Sequence, residues 1–89
     1  MKYFAAILRM VDVEKNKTLR PEHLAFLQEH DSKGRIFARG PFSDGAGGLV
    51  IYQAESMEDA RTLAENDPYL KGGARELELH PWEMAPRNI

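Results

Sequence analysis

The sequence predicts an α+β domain with the element order βαββαβ, an antiparallel sheet carrying both helices on one face. Three observations predict it. Two segments, 2–11 and 48–54, are apolar on both alternating sets. Two stretches with helix start signals and helical apolar spacing separate strand-like runs. A turn rich in Gly and Ser joins the second strand-like run to the third. A chain of 89 residues has room for one core, and a core of this size buries only roughly 60 to 65% of the unfolded surface.

The first strand, Lys2 to Val11, sets Tyr3, Ala5 and Ile7 on one side and Phe4, Ala6, Leu8 and Met10 on the other, so both of its faces are expected to be covered. Asp12 to Lys17 is polar apart from Val13 and reads as a loop. Thr18, Pro21 and Glu22 then signal a helix start, and the helix is expected to run to about Lys33. Leu24 and Leu27 form its inward stripe, His23 lies alongside, and Gly34 suits the left-handed residue after its end. Arg35 to Gly40 reads as a short second strand. Pro41 to Gly47, PFSDGAG, reads as the hairpin loop, since Gly takes positive φ and Ser and Asp bond their own backbone.

Gly48 to Ala54 is the third strand, with Leu49 and Ile51 set against Val50 and Tyr52. Ser56 caps a second helix, Asp59 occupies its N3 position, and Met57, Ala60, Leu63 and Ala64 form its buried stripe. Asn66, Asp67 and Pro68 end it. After Gly72 and Gly73, Ala74 to Trp82 alternates Leu77 and Leu79 with Glu76, Glu78 and His80, as a strand exposed on one face does. The domain is expected to span 1–82, with 83–89 as a C-terminal tail.

This order is the split βαβ, or ferredoxin-like, arrangement, in which the first and third strands are central. Those are the two strands that are apolar on both sides. Helices cover one sheet face, so a second copy packed sheet to sheet is the expected cover of the other, because exposed apolar area forfeits roughly 25 cal/mol per Å2. A homodimer is therefore expected. There is no Cys, which rules out disulfides and thiolate zinc sites. The net charge is -2, with acids and bases interspersed, so nucleic acid is not an expected partner. No apolar run approaches the roughly 20 residues of a membrane span, and Met1 leads directly into a strand-like segment, so no membrane association and a cytoplasmic location are expected.

The topology brings one set of strand and helix ends to a common edge. Arg20, His23, the segment from Gly40 and Pro41 to Gly48, Asp67 and Tyr69 fall there. His23 is the candidate for proton transfer, because imidazole titrates near neutrality, and Asp67 can orient it by accepting from one ring nitrogen. Arg20, read here as standing at the helix start, would favour a small carboxylate or phenolate together with the free N–H groups of that terminus. Tyr69 offers a hydroxyl or simply packs. The same residues also fit a packed imidazole, an ordinary helix-ending turn and a solvated Arg20 paired with Glu22 or Asp67, and residue types alone do not choose. His30 and His80 stand at no metal-ligand spacing, and there is no phosphate-cradling glycine loop, so neither a metal nor another cofactor is expected. Ser43 lacks a nucleophile-elbow context, which argues against covalent catalysis.

The runs RPEHLAFL at 20–27, GRIFARGP at 34–41 and DPYLKGG at 67–73, closed by a strand ending in HPW, resemble the YciI-like (YCII-related) family from Met1 to about Trp82. The resemblance implies a dimeric α+β barrel and a pocket centred on His23 and Asp67, with Arg20 adjoining. It also implies proton-transfer chemistry on small cyclic anions. Some relatives are linked to dehydrochlorination of chlorinated hydroxyquinols, the wider superfamily includes muconolactone isomerases and cofactor-free monooxygenases, and most members have no assigned reaction. Many relatives place a Ser at the start of the third strand, where this chain has Gly48, so a hydroxyl contact is expected to be missing. The expected function is that of a cofactor-free lyase-like or isomerase-like enzyme acting on a small anionic, cyclic or chloroaromatic substrate. Its competitor is a non-catalytic dimeric module that binds a small metabolite or assists another enzyme.

Overall fold

In the computed structural model, which describes residues 1–86, β1 (Lys2–Met10) lies between β3 (Gly47–Ala54) and β4 (Arg75–Trp82) and runs antiparallel to both. β2 (Ile36–Pro41) pairs with the outer side of β3, giving the order β2-β3-β1-β4. The α+β, ferredoxin-like arrangement read from the sequence is the one observed. Phe4, Ala6 and Leu8 of β1, Val50 and Tyr52 of β3 and Leu79 of β4 alternate onto one sheet face. They build the core there with Leu27 of α1 (Val13–Ser32) and with Ala60 and Ala64 of α2 (Met57–Glu65). The opposite set, Tyr3, Ala5, Ile7 and Leu49, points away from the helices and is half-buried. A register shift in β2 between Ile36 and Ala38 accompanies an edge-to-face contact of Phe37 with Tyr3, ring centroids 5.3 Å apart.

The first helix corrects the sequence reading. It begins at Val13 rather than near Thr18, because the Asp12 side chain caps it by accepting the Lys15 N–H at 3.0 Å. Pro21 is therefore a mid-helix residue and not a first-turn one. Its missing N–H leaves the Lys17 carbonyl without a helical donor, but Lys17 and Pro21 are both exposed, so water can serve that oxygen. As a consequence Arg20 and His23 sit in the middle of α1, and the free N–H groups expected beside Arg20 are not there. The C-terminal end agrees with the reading. Gly34 has φ +70°, and the Gly34 and Arg35 N–H groups donate to Asp31 and His30 carbonyls at 3.1 and 3.0 Å, a Schellman closure.

A second difference lies after α2. The segment expected only to end that helix starts another, the single turn α3 (Pro68–Lys71), with Pro68 at its first position. Residues 83–86 follow β4 without regular structure, and the remainder of the expected tail, 87–89, lies outside the described residues. Among the described residues no helix is long and apolar enough to cross a membrane.

Candidate functional site

Asp67 joins the two parts of the site. As the N-cap of α3 it accepts the Tyr69 N–H through Oδ1 at 2.9 Å. The same oxygen lies 2.8 Å from Nδ1 of His23, which α1 presents from 44 residues away. Asp67 is fully buried and His23 is 7% exposed, so the bond is shielded from competing water. A carboxylate acceptor requires the hydrogen on Nδ1, which leaves the lone pair of the neutral imidazole on Nε2. Nε2 has no partner among the described residues and is not sealed from solvent.

His23 forms one wall of a pocket of about 210 Å3 at the end of the sheet where β1 finishes and β3 and β4 begin. Arg20, Gly40, Pro41, Gly48 and Tyr69 also line it, whereas Asp67 stands behind His23. The expected common edge thus brings these residues together. Tyr69 contributes its ring, which stacks on the imidazole at 3.8 Å and 16°, while its hydroxyl is buried without a partner among the described residues. Of the two roles open to Tyr69 from sequence, packing is the one observed. Arg20 forms no ion pair with Glu22 or Asp67 among the described residues.

A family model for the YCII-related domain matches residues 1–83. The chain belongs to the YCII-related family. Protein YciI of Escherichia coli O6:H1 (strain CFT073) is 38% identical, the match covering 72% of this chain and 76% of that protein. The uncharacterized protein YjpA of Bacillus subtilis (strain 168) is 34% identical, covering 70% and 73%. Among solved structures, the 5-chloro-2-hydroxyhydroquinone dehydrochlorinase TftG from Burkholderia phenoliruptrix AC1100, in complex with 2,5-dihydroxybenzoquinone, superposes with a TM-score of 0.79 at 23% identity. That superposition covers 93% of this chain and 95% of TftG, and it shows a shared fold.

Two pocket residues of this YCII-related chain escaped the sequence reading. Arg39 lines the pocket from β2, but its guanidinium is held by Asp31, which accepts from Nε at 3.0 Å and from a terminal nitrogen at 2.8 Å. Arg75, the first residue of β4, donates through Nε to Asn16 Oδ1 at 2.9 Å and lies over the Tyr69 ring at 4.4 Å. Burial is the leading influence on Arg75 and lowers its pKa, against the opposing pull of Tyr69 and Asp67. It stays cationic at neutral pH. The sequence signals were a position near the expected edge for both and, for Arg39, its place in the GRIFARGP run. Among the described residues no three His, Cys, Asp or Glu side chains gather as a metal-binding group would.

Proposed function

We propose that the pocket removes a proton from a small anionic ring compound, with His23 as general base. The observation that carries this is the buried 2.8 Å bond from His23 Nδ1 to Asp67, which leaves Nε2 as the free base toward the pocket. When Nε2 takes the proton, the resulting imidazolium faces the Asp67 carboxylate across that bond and is stabilised by it. Arg20 supplies positive charge at the pocket wall, and the ring of Tyr69 holds the imidazole plane. The reaction class is lyase-like or isomerase-like, and the chemistry needs no cofactor. The small volume, and the binding of 2,5-dihydroxybenzoquinone by TftG, support a single ring bearing ionised oxygens. We further propose that two copies pack their open sheet faces together, with Tyr3, Ala5, Ile7 and Leu49 at the centre and Phe37 beside Tyr3.

The test is a nitrogen-15 NMR measurement of the His23 tautomer at neutral pH. The expected result is hydrogen on Nδ1, with its proton signal moved to higher field in Asp67→Asn, which keeps an acceptor but removes the charge. In parallel, His23→Ala should retain the fold and abolish any dehydrochlorination or isomerisation found. Hydrogen on Nε2, with no response to Asp67→Asn, removes the base and leaves a non-catalytic binding module.

A further inference from the structure

We propose that Arg75 is a second anion-binding residue of this pocket, its guanidinium standing beside the bare backbone of Gly48. The proposal rests on the reading of the pocket as a site for a small ring anion and names the group that grips it. Gly48 and Arg75 belong to strands on opposite sides of β1, where Leu8 pairs with Gly48 on one flank and with Leu77 on the other. The Arg75 side chain reaches across that gap. A Cβ added at Gly48 would stand 3.0 Å from a terminal nitrogen of Arg75 and 3.0 Å from the Gly40 carbonyl oxygen.

The side chain is held on two other sides. Nε is fixed by Asn16 and the guanidinium face lies on Tyr69, the ring that also stacks on His23. One aromatic ring therefore sets the spacing between the base and the cation. Of the three arginines around the pocket, Arg39 is satisfied by Asp31, whereas Arg75 and Arg20 have no carboxylate partner among the described residues. The half-buried Arg75 guanidinium has Arg20 nearby as a like charge, and the Tyr69 face, Asn16 and the Asp67 charge offset this without an ion pair, so an anion entering the pocket is drawn to it. With Arg20 as the outer cation and Arg75 as the inner one, the site suits a planar ligand with at least two anionic oxygens, one for each guanidinium.

The experiment is a titration of the full chain with 2,5-dihydroxybenzoquinone at neutral pH, followed by backbone amide NMR. It compares wild type, Arg75→Gln, Arg75→Lys and Gly48→Ala, each with its melting curve. Losing a charged hydrogen-bond donor predicts about 10- to 100-fold weaker binding in Arg75→Gln, with partial recovery in Arg75→Lys. Gly48→Ala should weaken binding in wild type and add nothing in the Arg75→Lys background if the new Cβ acts through the guanidinium. An equal further loss there traces to the Gly40 carbonyl, which the Cβ meets at the same 3.0 Å, and counts against the assignment. Affinity within about twofold of wild type in both Arg75→Gln and Gly48→Ala overturns the assignment, as does wild-type protein whose pocket amides ignore the compound. The His23 tautomer is read in the same samples. An intact Nδ1–H form with unchanged affinity removes Arg75 alone, whereas its absence in wild type removes the base reading.

Discussion

Among the described residues the fully buried Tyr52 hydroxyl has no hydrogen-bond partner, and neither do the buried Tyr69 hydroxyl and the second oxygen of Asp67. An unsatisfied buried hydroxyl contributes no bond to offset its desolvation, so Tyr52→Phe should leave thermal stability at pH 7 unchanged or raise it by up to about 1 kcal/mol. The alkaline response should differ more. Burial, with the Asp67 charge as a smaller cause, pushes the Tyr52 pKa well above the ordinary tyrosine value of 10.0. An acid whose folded pKa is raised contributes stability that is fully present below its unfolded pKa and is lost as pH rises above it. Wild type should therefore lose stability from about pH 10 upward. Tyr52→Phe should move the alkaline unfolding midpoint to higher pH, as followed by circular dichroism. An unchanged midpoint would assign alkaline unfolding to other groups.

Among the elements, α1 is where local signals competed. Pro21 favours a first-turn position by its fixed φ, and Asp12 favours an N-cap by its carboxylate; both signals are present, and only one helix start is formed. The earlier start wins because it adds turns of helix and leaves the unbonded Lys17 carbonyl in contact with solvent. Two substitutions separate these terms in thermal unfolding. Asp12→Ala should cost about 0.5–2 kcal/mol through the lost bond to Lys15. Pro21→Ala should stabilise by up to about 3 kcal/mol by restoring a helical donor to Lys17. A destabilised Pro21→Ala would mean that the proline ring itself packs or shapes the helix beside His23. The single turn α3 shows a different principle, since four residues have little intrinsic helical stability and the Asp67 cap supplies its first bond.

For the molecule as a whole, the sheet has one face built into the core and one without cover from the chain's own helices. Phe37 and Trp82 are 52% and 44% exposed and flank Tyr3 towards one end of that face, and Ala5, Ile7 and Leu49 continue it along the middle of the sheet. Ile7→Glu would place a carboxylate opposite Glu78, its neighbour on β4, as well as on the apolar centre of that face. If the proposed sheet-to-sheet dimer forms, sedimentation velocity should find it in wild type and a monomer in Ile7→Glu, with a lower melting temperature. A dimer of unchanged affinity in Ile7→Glu would place the contact on another surface.

The alternation of Tyr3 to Met10 and of Leu49 to Tyr52, the Ser56 cap and the Gly34 closure are local patterns, and they determined the strands, α2, the end of α1 and the order of the sheet. That order in turn collected Arg20, His23, Gly48, Asp67 and Tyr69 near one edge, so much of the candidate site was legible in the sequence. Tertiary structure decided the rest. It resolved the competing starts of α1, set Asp67 Oδ1 between a helix N–H and an imidazole 44 residues distant, and carried Arg75 over β1 onto the bare backbone of Gly48. Periodicity records which way a residue faces along its own segment. Hydrogen bonds and close approaches between segments depend on how far each side chain reaches once the core has closed, and residue order does not encode that distance.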